Sequence, residues 1–171
     1  MNKPSKLPSS ISLIGMPGAG KSTVGVILAK LTGLAFVDTD LAIQLHAGDT
    51  LQDILEREGY LHLRELEQSI LLSLDLSHSV ISTGGSVVYS PVVMQRLRAA
   101  GPVIYLRADL DTLERRVAAA PLRGIASSSA QSYADVYAER TPLYEQYADI
   151  TVDATAGSAD TVAALIHRAV G

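Results

Sequence analysis

Residues 15–23 read GMPGAGKST, set between the apolar run ISLI at 11–14 and the helical pattern VGVILAKL at 24–31. The stretch satisfies G-x-x-x-x-G-K-[ST] with Gly15, Gly20, Lys21 and Ser22. Glycines so spaced let backbone N–H groups turn inward around a phosphate, the lysine reaches the terminal phosphates, and the hydroxyl can ligate Mg²⁺. The alternative is a chance match in a glycine-rich turn. Its place after an apolar strand and before a helix, where the mechanism requires it, favours the phosphate loop.

Outward from this loop, strand and helix signals alternate. The helical pattern after it closes at Gly33 as a carboxy-terminal cap. Leu34 to Val37 reads as a second strand ending at Asp38, and Leu41 to Ala47 as a helix stopped by Gly48. Thr50 with Asp53 has the form of a capping box for a helix through Glu58. Leu63, Leu66, Ile70 and Leu74 recur at helical spacing, with Glu65, Glu67 and Gln68 assigned to the wetter side. A third strand at Val80 to Ser82 ends in Gly84 and Gly85, and Ser90 followed by Pro91 starts a helix to Ala100. Strands at Val103 to Leu106 and Ile150 to Val152, and helices at 109–119, 133–144 and 161–170, complete the order. Five short strands separated by helices predict a three-layer αβα fold with a parallel sheet covered on both faces.

The 171 residues, without an internal repeat or linker, predict one domain. The absence of cysteine excludes a disulfide scaffold, a thiolate metal site and a cysteine nucleophile. A net charge of −4 and only four lysines among fourteen basic residues predict no nucleic-acid partner. No apolar run approaches the roughly 20 residues that span a bilayer. MNKPSKLPSS followed by ISLIG has no hydrophobic region of signal-peptide length, so a soluble protein of the cytoplasm, without a membrane partner, is expected.

The class of phosphate-loop protein narrows by what is missing. Lys3, Lys6, Lys21 and Lys30 are never followed two places on by aspartate, so the guanine-recognition element [NT]-K-x-D is lacking. No apolar strand ends in Asp-Glu, as a motor or transporter ATPase would require. A small kinase acting on a compact acceptor remains. The second strand ends FVDTD, placing Asp38 and Asp40 at a carboxyl strand end beside the loop, where open parallel sheets bind ligands. On an extended backbone the two would point to the same side. Asp38 is a candidate to hold Mg²⁺ through water and Asp40 to accept hydrogen bonds from an acceptor hydroxyl; the alternative is a pair of helix-capping carboxylates. Arg64 in EREGYLHLRELE and Arg140 in ERTPLY are each surface arginines paired with a nearby glutamate, or together a fork for a carboxylate. Sequence does not choose between these. The four histidines form no ligand constellation and the seven tyrosines read as packing.

Taken together, GMPGAGKSTVG, FVDTD, EREGYLHLRELE, STGG, VIYLRA and ERTPLY occur in the order and spacing of the shikimate kinases, which the chain resembles over nearly its whole length. The resemblance implies strand order 2-3-1-4-5, an acceptor-binding region at about 38–75, a mobile lid at about 118–132, and a monomer. It implies transfer of the ATP γ-phosphoryl to the 3-hydroxyl of shikimate, within aromatic amino acid biosynthesis. By this resemblance Gly18, Ala19, Gly20, Lys21, Ser22 and Thr23 bind the ATP phosphates, and Ser22 and Asp38 serve Mg²⁺. Asp40 binds the reacting hydroxyls and helps remove the proton, Arg64 and Arg140 take the carboxylate, and Gly85 offers its N–H to the substrate.

Two departures fall inside the implied site. The family's T-G-G-G run is Thr83, Gly84, Gly85, Ser86 here, tolerable if φ at Ser86 stays negative. The lid arginine of R-P-L is replaced by Ala120 in APLR, and a transition-state arginine contributes about 10³–10⁵ in phosphoryl-transfer rate. Arg123 lies three residues on, roughly 10 Å along an extended chain, and is the expected replacement. Arg115 or Arg116 is a candidate to stack on adenine. A kinase for another small hydroxylated carboxylic acid, and a nucleotide-binding homologue without turnover, are the competing readings.

Overall fold

The computed structural model describes residues 8–120, 124–125 and 127–171. Its five strands are β1 (Ile11–Ile14), β2 (Ala35–Asp38), β3 (Ser79–Ser82), β4 (Val103–Arg107) and β5 (Ile150–Asp153). They form one parallel sheet in the order β2-β3-β1-β4-β5, the order that the family resemblance implies. β1 and β3 are buried along their whole length, which is why they read as short apolar runs rather than alternating ones.

Eight helices connect and cover the strands among the described residues: α1 (Lys21–Thr32), α2 (Thr39–Ala47), α3 (Leu51–Glu58), α4 (Tyr60–Ser73), α5 (Pro91–Ala100), α6 (Leu110–Ala119), α7 (Tyr133–Tyr147) and α8 (Ala159–Val170). Helices lie on both sides of the sheet; α1 packs on α8, and α7 packs on β4. The expected caps are in place. The Thr50 hydroxyl accepts from the Asp53 N–H at 3.1 Å, and the Ser90 side chain accepts from Val93. Ser132 and Asp135 form a reciprocal capping box at the start of α7. α7 continues through Pro142 to Tyr147, beyond the expected end at Tyr144. Proline there removes one N–H donor, whose partner carbonyl would belong to the exposed Ala138, within reach of water.

Apolar side chains of the sheet, α1, α5, α7 and α8 make one core around Leu13, Ile14, Leu28, Ile104 and Ile166. A second cluster of Ile43, Ile54, Leu63 and Ile70 ties α2, α3 and α4 together. Arg96 on α5 donates to the α4 carbonyls of Leu71 and Leu74, the latter at 2.6 Å, closing the carboxyl end of the helix that bears Arg64 and Glu67. Strand order reverses at β1, with β3 on one side and β4 on the other. The loop after β1 therefore opens at the topological switch point, where ligands of such sheets bind.

Candidate active site

The loop from Gly15 to Gly20 leads directly into α1, whose amino terminus aims its unbonded N–H groups at the space above the sheet. Gly20 caps that helix with φ 94° in the left-handed region; no atom would obstruct a Cβ there, so glycine is required by conformation alone. Lys21 is buried and donates to the carbonyls of Gly15 at 2.8 Å and Met16 at 2.9 Å. Its ammonium thus sits within the loop that a phosphate would occupy. Arg116 on α6 donates to the carbonyls of Gly18 at 3.3 Å and Ala19 at 3.4 Å. Arg115 instead bonds within its own helix, so of the two only Arg116 faces the phosphate loop.

Asp38 closes β2 and caps α2: its Oδ1 accepts from the N–H groups of Asp40 at 3.0 Å and Leu41 at 3.2 Å. Its Oδ2 accepts from the Ser22 hydroxyl at 2.8 Å, joining the two candidate metal-binding groups. Because this cap starts the helix at Thr39, Asp40 lies in the first helical turn and not on extended backbone. That corrects the expected geometry, although both carboxylates line the same cavity. Capping falls to Asp38 alone. The intervening Thr39 is fully buried, and its hydroxyl accepts from the Gly84 N–H at 3.1 Å, tying the β2 end to the glycine run after β3.

One cavity of about 840 Å³ extends from the phosphate loop to the turns that follow β2 and β3. Gly18, Gly20, Lys21, Ser22 and Thr23 border one end, and Asp40, Glu67, Gly84, Gly85 and Arg140 the other. A Cβ at Gly84 would collide with Glu67 Oε1 and lie 2.9 Å from Asp40 Oδ1, so a side chain there has to displace these carboxylates. Ser86 takes φ −87°, so a side chain is accommodated where the resemblance implies glycine. Gly85 accepts through its carbonyl from the Tyr144 hydroxyl at 2.6 Å. Ala120, Gly124 and Ile125 border the cavity as well, whereas Arg123 lies outside the described residues.

The two arginines are not equivalent. Arg140 is 1% exposed and lines the cavity. Arg64 lies in an adjoining cleft of about 280 Å³, which shares Glu67 and Ser86 with the cavity. Both approach the ring of Tyr89, with guanidinium carbons 3.8 Å (Arg64) and 5.3 Å (Arg140) from its centroid. Neither is a surface arginine paired only with glutamate.

Glu67 corrects another expectation. Assigned to the wet side of its helix, it is 5% exposed, one turn after Leu63 and before Ile70 and Leu71 on the buried face. That spacing was the available signal, obscured by the residue's charge. Its Oε2 accepts from the Ser86 hydroxyl, and its buried Oε1 has no hydrogen-bond partner among the described residues. Burial pushes the carboxyl up to about 7, opposed by the Ser86 bond, reinforced by Asp40, and opposed again by Arg140 and Lys21. The tyrosines likewise do more than pack. Tyr105 and Tyr144 stack with centroids 5.2 Å apart, yet Tyr144 also holds Gly85, and Tyr133 donates to the Pro17 carbonyl at 2.5 Å.

A family profile described as Shikimate kinase matches residues 17–170. The chain belongs to the shikimate kinase family. A shikimate kinase of Paracidovorax citrulli (strain AAC00-1) is 36% identical over 164 residues, covering 93% of this chain and 88% of that one. A shikimate kinase of Mycobacterium leprae (strain TN) is 37% identical over 144 residues, covering 82% and 72%. Among solved structures, the Acinetobacter baumannii shikimate kinase in complex with shikimate superposes with a TM-score of 0.84 at 31% identity, covering 96% of this chain and 93% of that one. Family membership makes the chain an ATP-dependent small-molecule kinase. Among the described residues, no helix is long and apolar enough to cross a membrane.

Proposed function

We propose that the protein transfers the γ-phosphoryl group of ATP to the 3-hydroxyl of shikimate, giving shikimate 3-phosphate and ADP. The observation that supports this most is the single cavity joining the phosphate loop to Asp40 and Arg140. A phosphate donor and a small carboxylate acceptor have separate ends of one space, so an in-line transfer needs no exchange of partners.

In this reading the N–H groups of Gly18 to Thr23 cradle the phosphates, and Lys21 exchanges its carbonyl partners for phosphate oxygens. Ser22 and Asp38, bonded at 2.8 Å, suit a cation that keeps waters and phosphates among its ligands, as Mg²⁺ does. When bound, Mg²⁺ would neutralise charge on the phosphates. Asp40 orients the acceptor hydroxyl and accepts its proton. Arg140 and Arg64 take the acceptor carboxylate, and the Gly85 N–H contacts the acceptor. Residues 38–75 form the acceptor-binding region of a single-domain monomer, and the lid at 118–132 excludes water on closing.

The lid charge is assigned to Arg123, since Ala120 borders the cavity and has no charge to offer. Arg123→Ala lowers kcat by about 10³-fold or more if it acts on the transferring phosphoryl; equal turnover by the two proteins removes the assignment. A coupled ADP-release assay with ATP, Mg²⁺ and shikimate, quinate, gluconate or no acceptor tests the function. Stimulation by shikimate supports it; stimulation only by another acid, or ATP binding without stimulated turnover, overturns it.

A further inference from the structure

Tyr89 belongs to none of the motifs, yet three parts of the acceptor side meet on it. It ends the single 3₁₀ turn Val87–Tyr89, directly after Gly84, Gly85 and Ser86. The Arg64 guanidinium carbon lies 3.8 Å from its ring centroid, with the Tyr60 ring a further neighbour at 5.0 Å. The phenol oxygen accepts from Arg140 Nε at 3.4 Å and its O–H donates to Glu139 Oε1. The other oxygen of Glu139 accepts from Gln131 Nε2 at 2.9 Å, within the segment assigned to the lid.

A planar guanidinium over an aromatic face is held in position and orientation without losing its hydrogen-bond donors. A fork for a carboxylate requires that two such groups keep a fixed relation, and here one side chain touches both. Burial and the bond to Glu139 raise the phenol above its ordinary value, despite Arg140, so the hydroxyl keeps its proton as donor to Glu139 at neutral pH. Tyr89 and Arg64 line the same cleft, which meets the larger cavity at Glu67 and Ser86.

We propose that Tyr89 is the positioning residue for the acceptor-carboxylate arginines. Its ring seats Arg64, its hydroxyl seats Arg140, and through Glu139 and Gln131 it connects both to the end of the lid. The proposal rests on the phosphoryl-transfer reading above for the identity of the acceptor. It assigns Tyr89 to acceptor affinity rather than to nucleotide binding or the transfer step.

The test compares the full chain with Tyr89→Phe, which keeps the ring, and Tyr89→Leu, which removes ring and hydroxyl. Tyr89→Leu raises KM for shikimate about five- to thirtyfold, the scale of one cation–π contact with a hydrogen bond. Its kcat and its KM for ATP stay within about twofold of wild type, and Tyr89→Phe falls between the two. In an Arg64→Ala background the same Tyr89→Leu change costs less, because the two side chains act together. Unchanged KM for shikimate, or parallel rises in KM for both substrates, overturns the proposal. A readout independent of turnover is the Arg64 Nε–Hε NMR resonance of the ligand-free protein. The expected result is an upfield shift in wild type and Tyr89→Phe and a downfield move in Tyr89→Leu, which keeps only the smaller contribution of the more distant Tyr60 ring; one position in all three overturns the seat. Absence of shikimate-stimulated turnover in wild type would refute the function while the resonance still decides the role of Tyr89.

Discussion

Burial holds the Glu67 carboxyl at about 7 against an ordinary 4.5, with the Ser86 bond, Arg140 and Lys21 opposing the rise and Asp40 adding to it. The folded protein therefore keeps this proton through a range in which the unfolded chain has released it. Stability contributed by Glu67 is fully present below about pH 4.5, falls as pH rises towards 7, and is level above that. The change is at most about 3.5 kcal/mol. Glu67→Gln flattens this part of the profile in urea unfolding measured from pH 4.5 to 7.5; a slope unchanged by the substitution contradicts the assignment. Asp109, Asp135 and Asp153, whose carboxyls are held low by hydrogen bonds from neighbouring hydroxyls and N–H groups, contribute the opposite slope below their ordinary value of 3.8. The neighbouring Asp40 is assigned to the proton of the acceptor hydroxyl, so Asp40→Asn lowers kcat by about 10²–10⁴ while KM for ATP changes little. A loss confined to KM for the acceptor would reduce Asp40 to a binding group.

At the scale of elements, the junctions between strand and helix decide what each functional residue can reach. Asp38 ends β2, caps α2 and bonds Ser22 at the start of α1, while Thr39 holds Gly84 beside it. The glycine run after β3 lies against the carboxylates of Asp40 and Glu67, so a methyl group at Gly84 has to push them aside. Gly84→Ala is expected to displace both carboxylates and cost more than tenfold in kcat/KM for the acceptor, with KM for ATP affected far less. Equal effects on the two substrates would place the disturbance in the fold rather than the acceptor end.

These junctions also explain what was legible in the sequence. The phosphate loop, the caps at Thr50, Ser90 and Gly33 and the five strands depend on local chemistry and fixed spacing, so each is visible in a few residues. That Asp38, Asp40 and Arg140 share one cavity was legible because their motifs stand at strand ends or in a recognisable family order. The burial of Glu67 and the contacts of Tyr89 were missed because they depend on long-range partners, Ser86 and Glu139, 19 and 50 residues away in sequence. The convergence of Arg64 and Arg140 on Tyr89 is likewise a product of packing α4 and α7 around the 3₁₀ turn, which no local pattern encodes.

For the molecule as a whole, the β2-β3-β1-β4-β5 order places the phosphate loop at the switch point, with β2, β3 and their following turns extending the cavity to one side. The second apolar cluster gives α2, α3 and α4 packing contacts beyond the sheet core, and α7 brings Arg140 across from the opposite end of the chain. The phosphate loop, Asp40 and Arg140 thereby border one cavity, which the proposed transfer uses for donor and acceptor. The most direct measurement is ¹H–³¹P NMR of the product formed from ATP, Mg²⁺ and shikimate by the purified protein. The account predicts a phosphate monoester coupled to the ring proton at carbon 3, with ADP formed in equal amount. A product phosphorylated at another ring position, or ADP formed without any shikimate ester, would contradict it.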